Sequence, residues 1–235
     1  MERFRNAYAF DFRGERLHAH PGAVLLWRDR DLLVVSDLHL GKSERMARRG
    51  GAFLPPYDTL DTLARLDGLI QELDPAAVIC LGDSFDDDAA AEALTTTERL
   101  VLRKAMARRR WVWVEGNHDP AAGGHEGERC AELSIGPLTF RHIARDGAVG
   151  EVSGHYHPKA TVSARGARMS KPCFLIDGAR IVMPAFGTYT GGLAVHAPEL
   201  DGLMGPDAVA VLTGGARAVA MPMRPLPGAA RRRSA

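Results

Sequence analysis

Short apolar runs alternate with longer stretches of helical periodicity through the first half of the chain. "AYAFDF" (7–12), "AVLLW" (23–27) and "LLVVS" (32–36) are rich in aliphatic and aromatic residues and are expected as successive strands. The charged segment "RDRD", Arg28 to Asp31, closes a hairpin between the last two. A short basic helix is expected over "SERMARRG", ended by Gly50 and Gly51. In "PPYDTLDTLARLDGLIQELDP", Leu60, Leu63, Leu66, Ile70 and Leu73 recur at helical spacing, with Asp58 the expected N-cap and Pro75 the stop. "AAVICLGD" then reads as a buried strand, "AEALTTTERLVLRKAMARR" as a second long helix and "WVWVEGNHD" as a further strand. This alternation implies a parallel inner sheet covered by helices. Trp111 and Trp113, two apart on one strand, are expected in the core.

Beyond residue 130 the helical pattern fades. "LTFRHIA", "GEVSGHYHP", "CFLI" and "RIVMP" read as short strands, the last two joined by a hairpin at Asp177-Gly178. The expectation is a single α/β domain over residues 1–222. The Pro-, Gly-, Ala- and Arg-rich remainder "MRPLPGAARRRSA" (223–235) is expected to be a disordered basic tail.

Composition narrows the class. With 46% hydrophobic residues in 235, the chain has enough apolar content for one large core. Its 30 basic and 29 acidic side chains argue against a nucleic-acid footprint over the whole surface and leave room for a local basic groove. Cys80, Cys130 and Cys173 are odd in number and lack CxxC spacing, which suits a reducing compartment better than thiolate ligation. "MERFRNAYAF" lacks the apolar stretch of a signal peptide, and no run reaches bilayer-spanning length. The expected setting is cytoplasmic, with no membrane partner.

Chemistry enters where the apolar runs give out. "SDLH", "LGDSFDDD", "EGNHD", "FRHIA" and "SGHYHP" each follow or close an expected strand. In open α/β sheets the carboxyl ends of parallel strands share one edge, where ligands bind. Asp37, Asp83, Asn117 and His118 should therefore converge although about forty residues separate successive motifs.

The ordered set Asp-x-His, Gly-Asp-x-x-Asp, Gly-Asn-His-Asp, a lone His and Gly-His-x-His, from Val34 to Pro158, resembles the calcineurin-like metallophosphoesterases. "GAVLLW", "DLHLGKS", "RHIA", "GHYHP", "PCF" and "MPAFGTYTGG" are similar, more narrowly, to the PdeM group, described as ligase-associated DNA damage response endonucleases. The resemblance implies an α/β/β/α sandwich, two β-sheets flanked by helices, and a centre of two divalent metal ions. Asp37, His39 and His157 would hold one ion and Asn117, His142 and His155 the other, with Asp83 bridging. His118 would be the catalytic histidine outside the coordination sphere, oriented by Asp86 or, as second choice, Asp119. Nitrogen and oxygen donors without thiolate suit manganese, iron or zinc and leave the choice open; manganese is the leading expectation.

The activity implied is phosphodiester hydrolysis of single-stranded or flexible DNA in repair, in association with a DNA ligase and a helicase. A small-molecule nucleotide or lipid-precursor phosphodiesterase or pyrophosphatase is the alternative. A protein phosphatase is disfavoured because "DDAA" follows Asp86 where an Arg-Gly pair would be expected, and an inactive scaffold because every ligand is retained.

His125, in the Gly-rich stretch "AAGGHEGE", competes with His142 for the lone-histidine position. Arg45, Arg48 and Arg49 lie on one helical face, as a phosphate rail with Lys42 nearest the metals or as an ordinary solvated face. Asp87 and Asp88 are expected as solvated charges at a helix start. His18, His20 and His196 are expected in packing or surface roles, and "AFGTYTGG" either carries Phe186 or Tyr189 to the site or forms a structural turn.

Overall fold

The computed structural model describes residues 4, 6–51, 53–119, 125–164 and 166–224. All but two residues of the expected basic tail lie outside them.

Seven strands form the first sheet in chain order: β1 (Tyr8–Phe12), β2 (Glu15–Ala19), β3 (Leu25–Trp27), β4 (Leu32–Val35), β5 (Ala77–Leu81), β6 (Arg110–Val114) and β7 (Glu128–Cys130). From β1 to β4 the pairs are antiparallel; from β4 to β7 they are parallel. The helices of the parallel part are α1 (Lys42–Arg48), α2 (Asp58–Leu73), α3 (Asp88–Ala93) and α4 (Thr96–Met106).

The second sheet contains β8 (Glu132–Ile135), β9 (Leu138–Arg141), β10 (Glu151–Ser153), β12 (Ala167–Ile176), β13 (Arg180–Val182), β14 (Val209–Leu212) and β15 (Val219–Pro222), in the order β15-β14-β12-β13-β10-β9-β8. β11 (Lys159–Ala164) pairs antiparallel with the outer part of β12, and α5 (Pro198–Leu203) follows β13 in the chain. β9, β10 and β13 run parallel to one another.

Strand alternation sorts the core into layers, because successive side chains leave a strand on opposite faces. Leu33, Val35, Val78, Cys80, Trp111 and Trp113 pack with Leu63, Leu66 and Ile70 of α2 and Leu102 of α4. Their alternates Leu32, Val34, Ile79, Leu81, Val112 and Val114 meet Phe140, Val152, Phe174 and Ile181 between the two sheets. On the far side Cys173 and Leu175 pack with Leu200 and Met204 at α5. The result is the expected α/β/β/α sandwich, with both tryptophans in the core.

Four local features differ from expectation. Residues 15–19, which the sequence pattern assigns to no element, form β2 and complete a hairpin turned at Arg13-Gly14, both at positive φ. Tyr57, not Asp58, is the N-cap residue of α2. Asp58 is buried and accepts hydrogen bonds from the backbone N–H of Ser43 (3.1 Å) and from its hydroxyl, tying α1 to α2. Leu60, although in helical register, is 38% exposed. The second long helix is two helices: Thr95 interrupts it and, with Glu98, forms a reciprocal capping box for α4.

Candidate metal centre

β4, β5 and β6 end side by side, so the residues after Val35, Leu81 and Val114 enter one edge of the first sheet. The parallel pair β9 and β10 ends at the same place in the second sheet, where Gly154 N–H bonds to the carbonyl of His142 (3.0 Å). The two sheets are stitched there. His155 N–H donates to the Asp37 carboxylate (3.1 Å to Oδ2), and Phe186 and Gly187 N–H donate to the carbonyls of Ser36 and Asp37. Phe186 thus lies under the site as buried packing, and "AFGT" buttresses the first motif.

Two glycines make the approach possible. At Gly82, with φ +76°, a Cβ would collide with the His142 ring, and at Gly154 one would collide with the Ser36 hydroxyl. Several donor residues accept unfavourable backbone as well. Asp37, His39, Asp83, His155 and His157 have φ between 45° and 70°, a region that costs on the order of 1–3 kcal/mol for a side-chain-bearing residue. Such clustering marks a place held in position by the rest of the fold.

Three sets of donors come within mutual ligand reach: Asp37, His39 and His157; Asp83, His142 and His155; and His39, Asp83 and His118. His157 Nε2 lies 3.1 Å from Asp37 Oδ1, His142 Nε2 lies 3.3 Å from Asp83 Oδ2, and His155 Nδ1 lies 3.3 Å from His142 Nε2. Asn117 Oδ1 is 3.0 Å from the same His142 nitrogen. Metal–ligand bonds of about 2.0–2.2 Å place neighbouring donors roughly 3–3.5 Å apart, which is the observed spacing. His39 Nε2 and His118 Nε2 each stand 3.9 Å from Asp83 Oδ2, so Asp83 lies between the two groups of ligands.

Hydrogen bonds on the far side of the rings decide which nitrogen faces the centre. His142 Nδ1 is 3.0 Å from the Leu81 carbonyl, an acceptor, so that nitrogen carries a proton and Nε2 is the one that faces the centre. His39 Nδ1 donates to Asp86 Oδ1 at 2.9 Å, which leaves Nε2 buried with no hydrogen-bond partner. An orphaned, inward-facing imidazole nitrogen backed by a carboxylate is what a cation ligand requires. The residues present therefore fit a divalent metal.

Electrostatics agree with a cation site. Burial pushes the Asp83 and Asp37 carboxyls up, but the histidines facing them, His142 first for Asp83 and His157 first for Asp37, outweigh it and hold both below the usual carboxylate range. Burial pushes His142 down, while its hydrogen bond to Asp83 and the charge of Asp37 carry it up to about 8.

The expectation that Asp86 orients His118 is corrected in its atoms. The Asp86 carboxylate, fully buried, takes His39 together with Arg45 (2.9 Å) and Lys42 (3.6 Å). Opposed by burial, these partners bring its carboxyl to about 2. His118 Nδ1 instead meets the backbone carbonyl of Asp86 at 3.0 Å. Asp119 accepts from Phe85 N–H and is raised to about 7, by burial first and by the charge of Asp83; it has no hydrogen bond to His118.

His125 stacks on Phe85 (4.8 Å between centroids) and belongs to no donor set, so His142 takes the lone-histidine place in the centre. The arginine face of α1 is engaged in ion pairs. Arg48 grips both oxygens of Asp87 at 2.8 Å, and Arg49 lies 3.5 Å from one of them. Asp87, read as a freely solvated charge, is thus the partner of that face and also caps α3 through Ala90 N–H. His18 and His20 are buried, in packing roles.

Among the described residues no helix is long and apolar enough to cross a membrane. A family model described as calcineurin-like phosphoesterase matches residues 31–163. The crystal structure of Pseudomonas putida nuclease MPE is similar over 92% of this chain and 100% of that one, with a TM-score of 0.73 and 30% sequence identity. No curated protein matches the chain.

Proposed function

Because the chain belongs to the calcineurin-like phosphoesterase family and is a metal-dependent phosphoesterase hydrolase, we propose that it is a DNA endonuclease, cutting single-stranded or flexible DNA at a binuclear centre. The observation that carries the reading is the convergence of Asp37, His39, Asp83, His142, His155 and His157, with the buried His39 Nε2 left partnerless. The similar structure is that of a nuclease, which supports a polynucleotide substrate.

In this proposal Asp37, His39 and His157 hold one cation, Asn117, His142 and His155 the other, and Asp83 both. Manganese is the ion proposed; the nitrogen and oxygen donors are compatible with iron or zinc as well. Two such ions, when bound, supply positive charge against the phosphodiester and bring water near its ionisation point at neutral pH. His118 is the proton donor. Its Nδ1 proton is held by the Asp86 carbonyl, and its ring is partly exposed, with Nε2 on the side of Asp83. Protonated there, it neutralises charge on the departing oxygen, an effect of roughly 10²–10⁴-fold. Lys42, 3.6 Å from Asp86, and Arg49, 3.5 Å from Asp87, are the more loosely held cations and the candidates for contact with flanking phosphates, since Arg45 and Arg48 are gripped at 2.9 and 2.8 Å. A role in DNA repair beside a ligase and a helicase belongs to the same proposal.

Incubation with circular single-stranded DNA and manganese tests it. Nicking that chelator abolishes is the expected result. Turnover of a nucleotide diester without nicking would replace the reading with a small-molecule phosphodiesterase. His118→Ala should keep the metal content while turnover falls about 10²–10⁴-fold.

A further inference from the structure

A cleft of about 420 Å³ opens directly beside Asn117 and His142, and none of its lining residues belongs to α1. Its walls include Glu115, Arg141, Ile143 and Arg145. Arg141 lies along the base, with Nη1 on Glu151 (3.0 Å), Nη2 on Glu132 (3.1 Å) and a buried Nε that has no partner. Arg145 stands at the rim, its side chain 65% exposed, with Nη1 also on Glu132 (3.0 Å). Glu132 therefore serves both guanidiniums while Glu151 takes Arg141 as well, and Arg145 is the cation left exposed at the rim of the cleft. Ile143, 44% exposed, adds an apolar surface between the two arginines in sequence. Glu115, also in the lining, would repel a phosphate but accept from an exocyclic amino group.

We propose that this cleft binds the nucleoside next to the scissile phosphate, with the base against Ile143 and the following phosphate at Arg145. The volume suits one nucleoside, and the shared residues Asn117 and His142 place it within one nucleotide of the metals. This deepens the nuclease reading and rests on it. The substrate strand then leaves the centre over "RHIAR" (141–145), a second basic element distinct from the α1 face.

The test compares kcat/KM for three substrates: bis(p-nitrophenyl) phosphate, which has no nucleoside; the p-nitrophenyl ester of thymidine 5′-phosphate; and a single-stranded oligonucleotide. In Arg145→Glu the oligonucleotide value should fall about tenfold relative to the nucleoside-free diester, as expected for loss of one charge-assisted contact. Arg145→Lys should recover most of it. Glu132→Gln, which frees the Arg145 guanidinium while Glu151 still holds Arg141, should shift the ratio the other way. Ratios constant within about twofold, or an equal fall for all three substrates, would overturn the proposal. If the wild type hydrolyses the thymidine ester and leaves DNA intact, the nuclease reading fails, and Ile143→Ala on the ester decides the cleft by itself. A fall relative to the nucleoside-free diester keeps it; no change removes it.

Discussion

His39 joins two layers of the centre: Nδ1 donates to Asp86, and Nε2 waits, buried and unpartnered, beside Asp83. Arg45 and Lys42 in turn steady Asp86, so a charged relay two residues deep positions one ligand. Loss of such a supporting carboxylate typically weakens metal affinity about 10–100-fold. Asp86→Ala should do so in a calorimetric manganese titration, and Asp86→Asn, which keeps an acceptor for Nδ1, should lose less. Unchanged affinity in both would show that the carboxylate serves only the cations of α1. Residue type and order indicated where donors should converge and left His142 and His125 in competition. The partner of Asp86 could not be read from them, because whether a carboxylate meets His39 or His118 depends on where two strand ends come to rest. A second residue-scale expectation concerns the thiols. Burial raises all three, Cys173 to about 12 and Cys80 well above the usual thiol range. A thiol reagent should therefore label the native protein slowly at both, and at all three cysteines promptly once it is unfolded.

Turns and caps carry the element scale. Gly82 ends β5 at positive φ with the His142 ring against it, so Gly82→Ala combines backbone strain with displacement of a ligand. The expected result is loss of the Asn117, His142 and His155 cation before the other, read as a manganese stoichiometry falling from two towards one. Retention of two would show that the strand end can shift without cost. Thr95→Ala, by contrast, should lower unfolding stability by about 1 kcal/mol and leave metal binding alone, since it removes only the α4 cap. The same elements explain what the sequence revealed of the fold. β4, β5 and β6, buried on both faces, stand out as apolar runs. β2, β8 and β15 carry polar or exposed positions and do not stand out as apolar runs. The break before α4 was hidden because Thr95, Thr96 and Thr97 did not interrupt the apolar spacing, although Thr-x-x-Glu at Thr95 and Glu98 was the signal available.

At the scale of the whole molecule, two sheets contribute donors to one edge, and neither sheet holds a complete set. Asp37, His39, Asp83 and Asn117 follow strands of the first, and His142, His155 and His157 follow strands of the second. Metal binding should therefore stabilise the packing of one sheet on the other. At a free ion concentration a hundred times the dissociation constant the gain is about 2.7 kcal/mol, roughly 5–10 °C for a chain of this size. Calorimetry after chelation and after manganese addition measures it; an unchanged transition would mean that the centre forms without engaging both sheets. The convergence was legible because motif order and parallel topology together demand it. The second basic cleft was not, since Arg141 and Arg145 acquire their meaning only beside Asn117.

Anomalous scattering from crystals grown with excess manganese tests the central claim most directly. Two peaks are expected at this edge, one within bonding distance of Asp37, His39 and His157, the other of Asn117, His142 and His155, with Asp83 touching both. A single peak, or peaks that leave Asp83 without a bond to either ion, would contradict the account.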